Sequence, residues 1–189
     1  RKHTAQQFFD AFELAGKCGF DNINTDLIAG LPTDTPESFK NSLDSIVRLN
    51  AECITVHTLC MKRASRLTTE GVTLDLQQAR DAREMLAYTQ NILGQNEYIP
   101  YYMYRQSRMV GNLENVGWSK RGFESLYNVY VMDETHTILA CGSGGVTKLK
   151  RNNPDYLERI FNFKYPYEYI DRFDELIQRK SGIMQFYGQ

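Results

Sequence analysis

This chain of 189 residues lacks the apolar stretch of roughly 18 residues that a membrane span needs, and it lacks the charged and then apolar start of a secretory signal. Its formal net charge is only -1, so it has no broad basic surface for nucleic acid or anionic lipid, and an RNA contact would need a local patch. Repeats of solenoid length are also missing. These absences predict a cytoplasmic globular protein of one large domain or two small ones, with no membrane or nucleic-acid partner.

Closely spaced cysteines are missing as well. The four cysteines are Cys18, Cys53, Cys60 and Cys141, and no two of them form a C-x-x-C pair. This spacing excludes a zinc knuckle and the disulfide framework of small secreted domains. We interpret the cysteines as buried thiols, which pack as small apolar side chains, and we predict no metal ligands in this chain.

The first 95 residues alternate helix and strand signals. Phenylalanines at helical spacing, followed by two glycines, predict a helix that ends at about Lys17. The runs NINTDLIAG and ECITVHTLC predict strands, and each precedes a loop and a helix, capped by Thr35 and by Asp75. Strands that alternate with helices predict a parallel pair joined by right-handed crossovers. Because the first helix begins within a few residues of Arg1, we expect the chain to be a fragment.

The pattern changes after Gly94. The runs YIPYYMYRQ, SLYNVYVM and HTILACGSGG predict strands of a small antiparallel sheet. The runs NPDYLERIFNF and PYEYIDRFDELIQRK predict helices, the second with Ile170, Phe173 and Ile177 on one side. The sequence therefore predicts an α/β fold over residues 1–95 and a small α+β domain with C-terminal helices over residues 96–189.

Asp26 lies inside the first apolar strand, four positions before Gly30. A carboxylate near the carboxyl end of a parallel strand lies where α/β folds bind ligands, and its oxygens can accept hydrogen bonds from ribose hydroxyls or an amine. The alternative is an acid that caps a neighbouring turn or helix. Asp26 is thus a candidate ligand residue with a structural alternative.

His57 lies near the end of the second strand, where it could face the same side as Asp26. A lone histidine in an apolar strand is more often a hydrogen-bonded packing residue than a ligand or a base, so we assign it no catalytic role. Lys62, Arg63 and Arg66 follow in a polar loop, where cations meet carboxylates or phosphates or are solvated. Catalytic residues therefore stay unassigned.

The segment CGSGGVTK, residues 141–148, is rich in glycine but is not a phosphate loop of the Walker type. Lys148 follows Thr147 instead of preceding it, and no strongly helical segment opens directly behind it. This order excludes a nucleoside triphosphatase. Three glycines indicate instead that backbone approaches a ligand or a neighbouring strand closely.

Four segments together resemble one family: NINTDLIAGLPTDTPESFKNSL, ITVHTL, YYMYRQSRMVGNLENVGW and ILACGSGGVTK. They are similar to the later half of the oxygen-independent coproporphyrinogen III dehydrogenases, or oxidases, which are radical S-adenosylmethionine (SAM) enzymes of haem synthesis. The resemblance is strongest to the branch found in Firmicutes. It implies the C-terminal part of a partial (β/α) radical SAM barrel over residues 1–95. A coproporphyrinogen-oxidase-like domain that helps to close the substrate pocket would follow over residues 96–189.

The resemblance implies roles for particular residues. Asp26 matches the acid that hydrogen-bonds the SAM ribose. The end of the second strand matches the segment beside the adenine, where backbone groups make the contacts, and its residues are His57, Thr58, Leu59 and Cys60.

The resemblance implies one set of substrate contacts, and the side-chain chemistry of another segment suggests a second. Gly142, Gly144 and Gly145 match a glycine-rich segment near the substrate. In the segment YYMYRQSR, residues 101–108, a tyrosine suits the face of a tetrapyrrole and an arginine suits a propionate.

Strand alternation puts Tyr102 and Tyr104 on one face of that segment, with Tyr101, Met103 and Arg105 on the other. We favour the Arg105 face as the ligand side. A second arginine, Arg108, is a further candidate in the following turn. The alternative is an edge strand whose tyrosines pack on the C-terminal helices and whose arginines are solvated.

One departure from the family concerns the iron-sulfur cluster. The family holds a 4Fe-4S cluster with three cysteines in a C-x-x-x-C-x-x-C motif, which this sequence lacks. The resemblance therefore implies SAM and a cluster bound outside this chain, an electron donor such as a flavodoxin or ferredoxin, and coproporphyrinogen III or a related tetrapyrrole as substrate.

The implied reaction is oxidative decarboxylation of the propionates of coproporphyrinogen III to vinyl groups, which gives protoporphyrinogen IX. The chain alone is predicted to be inactive. A haem-binding chaperone on the same scaffold and a non-catalytic interaction domain are the alternatives.

Overall fold

The computed structural model describes residues 3–60, 76–105, 110–153 and 155–188. The chain divides into two compact units, Arg1–Ser125 and Leu126–Gln189. Five residues with a role proposed above lie outside the described residues: Lys62, Arg63, Arg66, Asp75 and Arg108. None of the helices in these ranges combines the length and the apolar character that a membrane span requires.

The first unit alternates helices and strands. In chain order its elements are α1 (Ala5–Lys17), β1 (Asn24–Ala29), α2 (Pro36–Arg48), β2 (Cys53–Thr58), α3 (Leu76–Gln95), β3 (Ile99–Tyr104) and β4 (Asn115–Ser119), with a short 3-10 turn at Val110–Asn112.

Local sequence signals explain how α1 and α2 begin. The Thr4 side chain accepts a hydrogen bond from the backbone of Gln7, whose own side chain accepts from the Thr4 backbone, which is a capping box. Thr35 caps α2 in the predicted way, and Pro36 occupies the first helical turn. The predicted end of the first helix at Lys17 is confirmed.

The four strands form one sheet in the order β1-β2-β4-β3. Strands β1 and β2 are parallel, with Asn24 opposite Cys53 and Ala29 opposite Thr58, as the sequence predicts. Strand β4 runs antiparallel to both of its neighbours, β2 and β3. The parallel pair is therefore extended by an antiparallel pair that comes from the region beyond residue 95.

One face of this sheet packs against α2 and α3. The core beneath these helices contains Ala29, Phe39, Leu43, Ile54, Val56, Met85, Leu93 and Trp118. Because successive strand residues point to opposite faces, the residues between these core positions share the other face. We call this side the polar sheet face, and it carries Asn24, Asp26, Thr55, His57, Tyr102 and Tyr104.

The division into compact units differs from the predicted boundary at residue 95. Strand β4 pairs with β2 from Cys53 opposite Ser119 to Val56 opposite Val116, and β3 pairs with β4. Trp118 enters the same core as the helices of the first unit. Strand pairing and shared burial therefore join residues 96–125 to the first unit.

The second unit contains a two-stranded antiparallel sheet and four helices among its described residues. Its elements are α4 (Leu126–Asp133), β5 (Val146–Asn152), β6 (Asp155–Phe161), α5 (Pro166–Asp171), α6 (Phe173–Lys180) and α7 (Gly182–Tyr187). A small antiparallel sheet is confirmed, but its strands β5 and β6 are not the segments predicted to form it. The helices of PYEYIDRFDELIQRK are confirmed.

Three predicted elements of this unit are wrong. SLYNVYVM forms helix α4 and not a strand, although it is rich in β-branched and aromatic residues. HTILACGSGG contributes only one isolated bridge, between Ile138 and Lys148. The predicted helix in NPDYLERIFNF is strand β6, because this segment pairs with β5 along seven residues. The helix prediction rested on the Asn-Pro start signal of this segment, which is a local signal and carries no information on strand partners.

Candidate functional site

Asp26 and His57 lie together on the polar sheet face, as their sequence positions predicted. The Oδ2 atom of Asp26 is 3.8 Å from Nε2 of His57, and the two side chains are 60% and 29% exposed. This distance is an ion-pair distance and is longer than a hydrogen bond. Strands β1 and β2 position the pair, because His57 lies opposite Ile28, two residues beyond Asp26.

A line of polar contacts joins one oxygen of Asp26 to Tyr102. The Nδ2 atom of Asn24 donates to Oδ1 of Asp26 over 2.7 Å. The Oδ1 atom of Asn24 accepts from the Thr55 hydroxyl over 3.0 Å, and the Thr55 oxygen lies 3.4 Å from the Tyr102 hydroxyl. A residue of β3 is thus connected across the sheet to the carboxylate on β1.

A second line joins the other oxygen of Asp26 to Tyr104. The Tyr104 hydroxyl lies 3.3 Å from Nδ1 of His57, whose Nε2 faces Asp26. The rings of Tyr102 and Tyr104 are nearly parallel, with an angle of 4° and a centroid distance of 6.3 Å. Both tyrosines therefore lie across β4 with their hydroxyl groups directed to β2.

The surroundings of Asp26 favour its ionised form. The nearby His57 imidazole lowers the pKa of Asp26, partial burial opposes this effect, and hydrogen bonding from Asn24 lowers the pKa further. Asp26 also lines a groove of about 600 Å³ that α1, β1 and α2 border. The site therefore offers an exposed carboxylate beside an open groove.

Glycine at position 117 is required for the tyrosine arrangement. A Cβ atom on Gly117 would lie 1.8 Å from Cε1 of Tyr102, which is a severe clash. The ring of Tyr102 thus packs directly on the backbone of β4. Sequence reasoning missed Asn24, Thr55, Tyr102, Tyr104 and Gly117 as parts of this site, although strand alternation places four of them on the face of Asp26.

The end of β2 uses several of its backbone groups inside the protein. The Thr58 amide donates to Oδ1 of Asn115 over 2.7 Å, and the Leu59 amide donates to the Ala29 carbonyl over 2.9 Å. The Leu59 carbonyl accepts from Val110. These two amides are therefore already engaged, and an adenine contact at Thr58, Leu59 or Cys60 would have to use the remaining groups.

Tyr101 lies within β3, and Arg105 lies just beyond its end. Both residues are away from the two lines of contacts to Asp26. The Arg105 guanidinium pairs with the Glu114 carboxylate. Tyr101 and Met103 line a separate groove of about 610 Å³ together with Trp118. The structure thus groups Asp26 with the tyrosine face that we did not favour, and the substrate role of Tyr101 and Arg105 stays a prediction.

The glycine-rich segment of the second unit forms a tight turn before β5. Gly142 and Gly144 have φ angles of +84° and +71°, which only glycine adopts readily. The amide of Gly144 donates to the Phe163 carbonyl over 2.7 Å, and the Gly142 carbonyl accepts from Asn162 over 2.8 Å. Gly145 donates back to Gly142. Structural constraints account for these glycines, and a substrate contact there stays a prediction.

Cysteines differ in their burial. Cys53 is buried, whereas Cys18 and Cys141 are exposed, so the prediction of buried thiols is wrong for these two. Cys18 follows the end of α1, and Cys141 belongs to the glycine-rich turn, where no core covers them. Among the residues that the structure describes, no three potential metal ligands lie close enough to hold an ion.

Comparison with known proteins gives a relative across almost the whole chain. The chain is 36% identical over 185 residues to the oxygen-independent coproporphyrinogen-III oxidase-like protein HemZ of Bacillus subtilis, with 98% of this chain and 37% of that protein covered. This chain is a relative of the oxygen-independent coproporphyrinogen III oxidase-like proteins. The resemblance that the motifs indicated is thereby confirmed.

Other oxidase-like and chaperone proteins are similar too. The heme chaperone HemW of Lactococcus lactis is 30% identical over 162 residues, with 81% of this chain and 38% of that protein covered. The structure of HemN, the coproporphyrinogen III oxidase of Escherichia coli described as a radical SAM enzyme, matches with a TM-score of 0.62 and 18% identity. That match covers 93% of this chain and 39% of HemN, and it confirms the predicted fold class. No family model matches the chain.

This relative of the oxidase-like proteins spans 37% to 39% of the length of HemZ, HemW and HemN. The chain is therefore similar both to an oxidase-like protein and to a heme chaperone.

Proposed function

We propose that the protein containing this chain is a radical SAM oxidoreductase of haem biosynthesis. Its reaction would be oxidative decarboxylation of coproporphyrinogen III propionates to vinyl groups, which gives protoporphyrinogen IX. The similarity to an oxidase-like protein along 98% of the chain supports this proposal. The observation that carries it within the structure is the exposed, ionised Asp26 on the polar sheet face.

Asp26 fits the ribose of SAM. Its carboxylate can accept several hydrogen bonds, and among the described residues it accepts one from Asn24 and lies 3.8 Å from His57, so capacity remains for a ligand. Two neighbouring hydroxyl groups of a ribose suit a carboxylate, because each can donate to one oxygen in a charge-assisted hydrogen bond. The groove beside Asp26 leaves space for the remainder of a nucleoside.

The described residues do not fit an iron-sulfur cluster, because no three potential ligands come together among them. We assign the cluster, and the flavodoxin- or ferredoxin-type electron donor it would need, to parts outside the residues described here. Bound SAM would supply the radical chemistry that the proposed reaction requires. The residues described here would bind and orient the cofactor.

A haem chaperone is the second candidate. The match to HemW, with 30% identity along 81% of the chain, favours it. Haem and coproporphyrinogen are both tetrapyrroles with propionates, so residues that bind a ring and its carboxylates suit either function.

Anaerobic turnover separates these functions. The native-length protein, with its cluster reconstituted, is incubated with coproporphyrinogen III, SAM and a reductant, and the porphyrin products are separated by chromatography after oxidation. Formation of protoporphyrin that requires SAM supports the oxidoreductase. Transfer of haem to an acceptor protein without turnover supports the chaperone, and the absence of both supports an interaction domain.

A further inference from the structure

We propose that the two lines of polar contacts across the sheet, which end in Tyr102 and Tyr104, hold the Asp26 carboxylate in its ligand-binding orientation. Asn24 and His57 are then positioning residues, and strand β3 supplies the anchors. The inference rests on the proposed function only for the identity of the ligand, SAM.

The first line of contacts, through Asn24 and Thr55, has one consistent set of hydrogen-bond donors and acceptors. Ionised Asp26 can only accept, so the amide group of Asn24 presents its NH2 to Asp26 and its oxygen to Thr55. The single hydroxyl proton of Thr55 is used on Asn24. The contact of 3.4 Å between Thr55 and Tyr102 therefore requires the Tyr102 hydroxyl to donate.

The second line of contacts, through His57, holds in either protonation form of the imidazole. In the neutral form with the proton on Nε2, Nδ1 accepts from the Tyr104 hydroxyl, and in the imidazolium form Nδ1–H donates to the same hydroxyl oxygen. A hydrogen bond on one ring nitrogen of histidine orients the other nitrogen, as it does in metal sites. Tyr104 thus keeps the proton-bearing nitrogen of His57 directed at Asp26.

Both tyrosines remain suitable donors at neutral pH. Burial raises the pKa of Tyr102 and Tyr104 above the ordinary value, and the negative charge of Asp26 acts in the same direction. The ring of Tyr102 rests on Gly117, and the Tyr104 ring is parallel to it. The anchors are therefore fixed by packing as well as by hydrogen bonds.

This arrangement leaves Asp26 open on the side of the ligand. Asn24 occupies one lone pair of Oδ1, and the 3.8 Å separation from His57 leaves Oδ2 able to accept a shorter hydrogen bond from a hydroxyl group. Since the side chain is 60% exposed, a carboxylate without these contacts would rotate among several rotamers. The two lines of contacts thus reduce the conformational freedom of the Asp26 side chain, which a ligand would otherwise have to remove.

The positioning role can be measured without any ligand. The carboxyl titration of Asp26 is followed by NMR with 13C-labelled aspartate in the native-length protein, and Asp26→Asn assigns its signal. We expect Tyr104→Phe to raise the pKa of Asp26, because His57 is no longer held towards it. Tyr88→Phe is the matched control, since its hydroxyl donates to Asp44 on the helical side of the sheet, and it should leave the Asp26 titration unchanged. An unchanged Asp26 titration in Tyr104→Phe would overturn the proposal.

A double-mutant cycle tests the consequence for SAM. Calorimetry should show that Tyr102→Phe and Tyr104→Phe each weaken SAM binding about 2- to 10-fold, the range for losing one hydrogen bond. In the Asp26→Asn background the same substitutions should have no further effect, because they act through Asp26. Equal losses in both backgrounds would mean that the tyrosines only stabilise the fold.

The two readouts separate this inference from the proposed function. If the parent protein does not bind SAM but Tyr104→Phe shifts the Asp26 titration, the proposed function fails and the positioning role stands. If SAM binds and the Asp26 titration does not respond, the proposed function stands and the positioning role fails.

Discussion

The ring of Tyr102 occupies the space that a side chain at position 117 would need. A Cβ atom on Gly117 would lie 1.8 Å from Cε1 and 2.4 Å from Cδ1 of Tyr102. Close packing of an aromatic ring on a cross-strand glycine is a known device for pinning the register of a sheet. Gly117 is thus a determinant of the polar sheet face, although it carries no functional group.

Gly117→Ala should destabilise the protein by about 1 to 3 kcal/mol, the range for overpacking, because the Tyr102 ring must move. The midpoint of urea unfolding measures this loss. Gly94→Ala is the control: nothing lies within 4 Å of its Cβ position, and the residue belongs to α3, so alanine should stabilise by up to about 1 kcal/mol. In the Tyr102→Ala background, Gly117→Ala should cost much less stability, because the clashing ring is gone. Unchanged stability of the single Gly117→Ala variant would contradict this account.

Asp26→Ala should weaken SAM binding to the native-length protein by about 1 to 3 kcal/mol, because a charge-assisted hydrogen bond to the ribose is lost. Calorimetry measures the affinity. Asp10→Ala, which removes an exposed carboxylate on α1, serves as the control and should bind SAM normally. Equal affinity in the parent and in folded Asp26→Ala would reject the ribose role.

Arg105→Lys should weaken the binding of coproporphyrinogen III roughly tenfold, because lysine keeps the charge but loses the planar fork that pairs with a propionate. Arg105 now pairs with Glu114, which is 36% exposed, so Glu114→Gln should strengthen substrate binding by releasing the guanidinium group. Arg48→Lys, on α2, is the matched control. Arg108→Lys tests the second predicted arginine in the same way. If both arginine variants bind coproporphyrinogen III as tightly as the parent protein, this segment does not bind propionates.

The thiols should differ in reactivity. At pH 8, alkylation followed by mass spectrometry should label exposed Cys18 and Cys141 first and buried Cys53 last. Burial raises the pKa of Cys53 from 9.0 to about 11, so very little of it is thiolate at that pH. Rapid labelling of Cys53 in the folded protein would show that this thiol is not buried.

The same pKa predicts how Cys53 affects stability at alkaline pH. Because the folded-state pKa is raised, its contribution is fully present below the unfolded value near 9.0 and is lost as the pH rises through about 11. Cys53→Ala should remove this part of the pH dependence when urea unfolding is measured between these values. An unchanged slope would assign the effect to another group, such as Tyr98, whose pKa burial raises to about 12.

This chain alone should not assemble a stable 4Fe-4S cluster. Its cysteines are far apart in sequence, and such clusters need thiolates on neighbouring positions in space. Anaerobic reconstitution followed by visible absorption and iron analysis tests this, with the native-length protein as the positive control. A stoichiometric, stable cluster spectrum from the chain alone would contradict the prediction.

Local patterns were sufficient for the first half of the fold. Thr35 and Pro36 mark the start of α2, and the runs around Asp26 and His57 are strands, because caps and apolar periodicity act over a few residues. The parallel pairing followed from the alternation of strand and helix. The placement of Asp26 and His57 on one side followed from their positions near the ends of neighbouring strands.

The sequence by itself thus determined the fold class, the family resemblance and Asp26 as the candidate ligand residue. Only the tertiary structure decided that Tyr102 and Tyr104 share the face of Asp26, since their contacts to Thr55 and His57 join residues 47 positions apart through an intervening strand. It also decided that the segment of β6 is a strand, because pairing with β5 along seven residues outweighed the Asn-Pro helix-start signal. Pairing between distant strands depends on partners that a local pattern does not contain, and this is the physical reason why the site was completed by the fold.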